Sequence, residues 1–135
     1  MDGTAMWRHL GEARVARLAT IGPDGRPHLV PITFTVEDRV IYFAVDAKPK
    51  RTTDLKRVRN IAANPLVTVL VDHYDDDWTR LWWVRADGTA RVIGGQEAQH
   101  ALHLLQQRYA QYRSAQPQGP VVAISVDRLS GWSAT

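Results

Sequence analysis

Lys48, Lys50, Arg51, Lys56, Arg57 and Arg59 fall within one short stretch that only Asp54 opposes. Ammonium and guanidinium groups gathered this locally bind anions, and a knot of this size suits a small anionic ligand better than a long polyanion. The same stretch also reads as a solvated loop and helix face, and charge alone does not choose between the two. Asp72, Asp75, Asp76 and Asp77 follow, with His73 among them. Carboxylates and an imidazole can ligate hard or borderline metals, yet the glycine turn of a calcium loop is missing, so a solvated loop reads equally well. His100 and His103 stand three apart on a helical stretch and can reach one ion, but no HExxH pattern surrounds them and no metal site is assigned. None of the four serines lies in a GxSxG elbow. The chain has no cysteine, which excludes disulfides, thiolate–zinc sites, iron–sulfur clusters and thiol nucleophiles. No side chain stands out as a catalytic acid or base. Trp78, Trp82 and Trp83 cluster, and in a strand Trp82 and Trp83 point to opposite faces, one to the core and one to a subunit or ligand contact.

The elements that position these residues are mostly strands. A helix is expected over 5–12, capped by Thr4. A strand follows over 15–21, then the turn Gly22-Pro23-Asp24-Gly25. A second strand is expected over 28–36, with Pro31 marking an edge or a bulge. A turn at Glu37-Asp38-Arg39 leads to a strand over 40–45. Thr52 or Thr53 caps a helix that runs to Asn64, where Pro65 stops it, with Leu55, Val58, Ile61 and Ala62 on its apolar face. Residues 66–71 are continuously apolar and predict a strand buried on both faces. Residues 80–93 form a long strand region in which Asp87-Gly88 is a hairpin turn or a bulge. A single helix is expected over 96–113, with Ala98, Leu102, Leu105, Tyr109 and Tyr112 on one stripe. The last strand covers 121–126, and 129–132 extends it.

With 135 residues the chain is expected to form one domain, 1–135. Its 44% hydrophobic and 23% charged composition excludes global disorder. Seventeen Lys and Arg against 14 Asp and Glu leave a net charge of +3, concentrated in the one stretch, so no nucleic-acid partner is expected. No apolar run approaches the roughly 20 residues of a membrane span, and residues 1–10 lack a secretory pattern, so a cytoplasmic location with no membrane partner is expected. The fold class is mainly β with covering helices (α+β), a barrel or sandwich of six or seven largely antiparallel strands. GxGxxG and GxxxxGK[ST] loops are both absent.

The order of segments now shows a likeness. Residues 16–20 (Ala-Arg-Leu-Ala-Thr) and 25–34 (Gly-Arg-Pro-His-Leu-Val-Pro-Ile-Thr-Phe) resemble the opening of the pyridoxamine 5′-phosphate oxidase-like superfamily. Residues 40–43, 56–61 and 64–69 continue it in the family's order and spacing. The segments 72–78 and 81–88, and the closing Leu129-Ser130-Gly131-Trp132, resemble the branch that uses the deazaflavin coenzyme F420. The resemblance covers nearly the whole chain.

What the resemblance implies is an antiparallel split β-barrel that forms a homodimer, with cofactors in grooves between the subunits and hydride transfer at the cofactor's central ring. The implied cofactor is coenzyme F420, with FMN as the alternative, and the implied substrate is a small conjugated organic molecule. A non-catalytic cofactor-binding protein of the same fold is a third reading. Pro31, Ile32, Thr33 and Phe34 match the strand beside the ring, whose backbone groups can bond the ring edge. Thr20 and Thr33 add hydroxyls. Lys50, Arg51, Thr52, Thr53 and Lys56 supply the cations, hydroxyls and helix start that phosphate recognition uses. Arg57 matches the family's phosphate-binding position, where lysine is common, and Asn60 sets the register. The surplus of positive charge suits the acidic tail of F420. Trp78 is the candidate wall over the neighbouring subunit's ring. Proton delivery falls to water, Tyr74 or His73. The chain lacks the Arg- and His-bearing closing motif of true pyridoxamine phosphate oxidases, which argues against vitamin B6 oxidation.

Overall fold

The computed structural model describes residues 1–46 and 52–135, without the side chains of residues 52–55. Helix α1 (Gly3–Glu12) starts at Asp2, whose side chain accepts from the Ala5 N–H at 2.8 Å, so the cap lies two residues before the expected Thr4. Strands β1 (Ala16–Ile21) and β2 (Pro27–Ile32) form a hairpin, and Gly25 at φ +79° supplies the left-handed residue of its turn. The expected strand over 28–36 is interrupted at Thr33-Phe34 and resumes as β3 (Thr35–Glu37). Asp38 and Arg39, both at positive φ, turn the chain into β4 (Val40–Ala44), the backbone that a two-residue hairpin requires.

Helix α2 (Thr52–Ala63) precedes β5 (Leu66–His73), a 3-10 turn at Trp78–Arg80, and β6 (Trp82–Ile93). Helices α3 (Gly95–Arg108) and α4 (Ala110–Ser114) lead to β7 (Val121–Ser133). Where one helix was expected over 96–113, the chain breaks at Tyr109 in extended backbone. Among the described residues the strands form one antiparallel sheet in the order β2-β1-β5-β6-β7-β4-β3, curled into a half-barrel. Pro31 thus lies on an edge strand, where a missing N–H costs least. Asp87-Gly88 is a bulge in one long strand, not a hairpin.

The inner face carries the main core. Leu18, Phe34, Phe43, Val69, Val71, Val84 and Ile124 are fully buried there, closed by Leu10 of α1 and Ile61 of α2. Each large side chain so buried stabilises the fold by about 1.5–3 kcal/mol. A second core lies on the opposite face, where Tyr42, Ala44, Val121 and Ala123 pack against Ala98, Ala101, Leu102, Leu105 and Tyr109.

Helix α3 therefore covers the outer face of the sheet only around β4 and the start of β7, where the sheet is buried on both faces. Among the described residues, the outer face over β1, β2, β5 and β6 is open. Strand β5 alternates between buried Val67, Val69 and Val71 and outward Leu66, Thr68 and Leu70, so it is buried on one face, not two. No helix among the described residues is long and apolar enough to cross a membrane.

Candidate functional site

A cleft of about 190 Å³ opens where β2 ends. It is lined by Pro31, Ile32 and Thr33, by Ala44 and Asp46 after β4, by Arg57 of α2 and by Tyr112 of α4. The cleft exists because the edge strand stops. Ile32 is the last residue paired with β1, and the backbone beyond it turns away from the sheet. Four of the residues singled out in the sequence, Pro31, Ile32, Thr33 and Arg57, thus meet at one place.

Phe34 is placed differently. Its side chain is fully buried, and its backbone polar groups are held by Tyr109. The Tyr109 hydroxyl accepts from the Phe34 N–H at 3.2 Å and directs its single proton to the carbonyls of Phe34 (3.0 Å) and Arg14 (2.9 Å). Of this stretch, Pro31, Ile32 and Thr33 line the cleft. One turn further, Tyr112 and Thr33 share a hydroxyl–hydroxyl bond of 2.6 Å. Arg113 donates to the carbonyls of Gln106 and Gln107 and so closes the end of α3.

Thr20 and Asn60 are almost completely buried, and the Asn60 amide donates to the Thr20 hydroxyl at 3.1 Å. The pair pins α2 onto β1, which sets how Arg57, one turn earlier, meets the cleft. His28 stands opposite Thr20 on β2 and is half-buried. Its Nδ1 atom has no hydrogen-bond partner among the described residues. Burial, then the charges of Lys56 and Arg57, lower its pKa from the usual 6.5, so it is held neutral beside the cations.

Lys56 is exposed on the same helix. Lys50 and Arg51 lie outside the described residues, as do the side chains of Thr52 and Thr53.

A larger groove, about 630 Å³, runs across the open outer face. Leu29, Leu70, Leu81, Trp83 and Trp132 line it, with Tyr74 at one end. Trp82 and Trp83 do face opposite ways. Trp82 packs against the inner core with His9 (4.0 Å between ring centres) on it and His73 stacked at 6.1 Å, whereas Trp83 is outward, opposite Trp132 and near the Arg85 guanidinium. Charges sit among the aromatic rings of the outer face. Arg17 pairs with Asp72 at 3.5 Å. Asp87 accepts from Thr68 and Arg128. Burial pushes the Asp87 carboxyl up, but these bonds and the charges of Arg85 and Arg128 outweigh it, and its pKa is lowered. Trp78 is 68% exposed on the connection between β5 and β6, away from its own chain's cleft.

His100 bonds Glu37 at 2.6 Å and His103 faces Gln107 at 3.1 Å, so the two rings have separate partners. Among the described residues no three His, Asp or Glu side chains converge as a metal site. Sequence reasoning missed Tyr112, Ala44 and Asp46 as cleft residues. The stripe placed Tyr112 on a buried helical face, and only the break at Tyr109 turns it toward Thr33.

The family model described as pyridoxamine 5′-phosphate oxidase matches residues 5–133. No curated protein matches the chain. Among solved structures, the conserved hypothetical protein Rv2991 from Mycobacterium tuberculosis is 25% identical, with a TM-score of 0.81 over 99% of this chain and 86% of that one. An FAD-binding protein from Mesorhizobium loti is 23% identical, with a TM-score of 0.73 over 97% and 94%. The FAD-binding protein from Mycobacterium smegmatis is 20% identical, with a TM-score of 0.66 over 98% and 95%. The last two likenesses are of fold.

Proposed function

Since this chain belongs to the pyridoxamine 5′-phosphate oxidase family, we propose that it is an oxidoreductase that binds coenzyme F420 and transfers a hydride between it and a small conjugated substrate. The observation that carries this reading is the cleft in which the free end of an edge strand meets Arg57 and two hydroxyls. The cleft offers partners that a flat ring and an anionic chain can both use. Backbone groups of residues 31–33 supply hydrogen bonds to a ring edge, and Arg57 supplies a charged fork for a phosphate. The basic stretch leading into α2 suits the acidic tail that distinguishes F420. When bound, the cofactor supplies the hydride chemistry, and the chain's own residues bind it, orient it and limit water.

The reading includes a homodimer. Two copies pack through the outer faces of β1, β2, β5 and β6, and Trp78 and Tyr74 of one reach toward the cleft of the other. The exposed Leu29, Trp132 and Tyr74 on that face support this arrangement. FMN is the second reading, favoured by the FAD-binding proteins that share the fold. Fluorescence titration of the cofactor-free protein with F420 and, in parallel, FMN tests both. Micromolar F420 binding with weak FMN binding is expected. The reverse preference moves the protein to flavin chemistry, and tight binding with no turnover on enones, quinones and tetrapyrroles makes it a cofactor-binding protein.

A further inference from the structure

Helix α4 reaches the cleft through one side chain. Tyr109 fixes the start of α4 to the backbone of Phe34, and Tyr112, on the next turn, meets the Thr33 hydroxyl at 2.6 Å. Both hydroxyls line the same cleft as Arg57. Two hydroxyls hold two protons, and their mutual bond uses one. Whichever donates, the other keeps its proton, and among the described residues that proton has no other acceptor. Both residues are part-buried, so water can meet that proton in the open cleft, and a ligand oxygen that takes the water's place makes the same bond in a fixed direction. The strand side alone could not offer this, because a threonine hydroxyl rotates freely, whereas the tyrosine ring is held edge-on against Tyr109 with ring centres 5.7 Å apart.

We propose that Thr33 and Tyr112 act as one hydrogen-bond donor to the bound cofactor, directed at an oxygen of the group that occupies the cleft beside Arg57. The proposal rests on the cofactor reading above and adds α4 to the binding site. The donor suits a carbonyl or hydroxyl oxygen and, more strongly, an oxyanion, so it selects first for the presence of an acceptor. A ligand with an apolar group at that point leaves the proton unpaired and binds less well.

The test is a set of cofactor titrations of the full chain by fluorescence, with Tyr112→Phe, Thr33→Val and the double variant. Each single variant is expected to bind the preferred cofactor about five- to tenfold more weakly, the usual effect of one hydrogen bond. The double variant is expected to bind more weakly than either single variant, because each single variant loses the partner that orients the remaining hydroxyl but keeps that hydroxyl's proton, and only the double variant has no donor left. Breaking the Thr33–Tyr112 bond is expected to lower the melting temperature of each variant by a few degrees, the size of one lost hydrogen bond. A packing role for Tyr112 would lower stability and leave affinity alone. Unchanged affinity in both single variants overturns the proposal while the cofactor reading stands. So does a loss confined to a destabilised Tyr112→Phe with Thr33→Val unaffected. A parent protein that binds neither F420 nor FMN overturns both readings.

Discussion

Replacing Arg57 by alanine removes a guanidinium from the cleft wall and leaves the Thr20–Asn60 pin intact. Cofactor binding is expected to weaken by about 1.5–3 kcal/mol, the range for a charge-assisted hydrogen bond, and equal affinity would take Arg57 out of the site. His28 makes a different prediction. Burial and the neighbouring cations hold its pKa in the folded chain below the usual 6.5. The unfolded chain therefore binds the proton first as pH falls, and stability drops as pH decreases through 6.5 toward the folded value. Above that window the residue contributes no pH dependence. Urea midpoints of the parent should fall more steeply on acidification than those of His28→Gln, and parallel curves would show that His28 does not drive the effect.

At the scale of elements, the bulge in β6 is the sharpest constraint. A methyl group on Gly88 would stand 2.6 Å from the Ser125 carbonyl oxygen and 2.7 Å from the Ile124 side chain. The first neighbour is backbone in a paired strand and cannot give way cheaply. Gly88→Ala is expected to cost about 1–3 kcal/mol in urea unfolding, as overpacked sites do, and an unchanged midpoint would mean that the sheet yields there. Most strands and the helices α1 and α2 were legible in the sequence because periodicity and turn residues are local signals, and Pro31 narrowed its strand to an edge or a bulge, of which the structure shows the edge. The break at Tyr109 was not legible. The apolar stripe runs on through Tyr109 and Tyr112, and what stops the helix is the bond of Tyr109 to Phe34, a residue distant in sequence. The gap between β2 and β3 is the other half of that contact. Strand β5 misled for a related reason, since a continuous apolar run looks the same whether its second face meets a helix of its own chain or an open surface.

At the scale of the molecule, the outer face is the feature that one chain leaves unfinished. Trp132, 46% exposed, stands opposite Trp83 on it. Trp132→Glu is expected to shift sedimentation from dimer to monomer at micromolar concentration, with cofactor affinity falling in parallel. A monomeric parent would remove the dimer reading, and a variant that stays dimeric would place the interface elsewhere. The candidate site was legible to the same extent as its chemistry was local. The basic helix declared itself through charge, whereas the tyrosine that closes the cleft came from an element whose position depends on contacts across the whole chain.

Strands β6 and β7 meet at the rung Ile93–Val121, and everything between, including α3 and α4, leaves and returns at that one rung. Closing a longer or shorter excursion there changes the entropy only slowly with length. The excursion is in effect a cassette. The second core and the Tyr109 bonds hold its first half in place, so the part open to change is the stretch after Tyr109, and because Tyr112 rides on that stretch, changes there edit one wall of the cleft. A change of ligand preference then has a cheap route in this chain, through the short stretch between Tyr109 and the start of β7, which pairs with no strand.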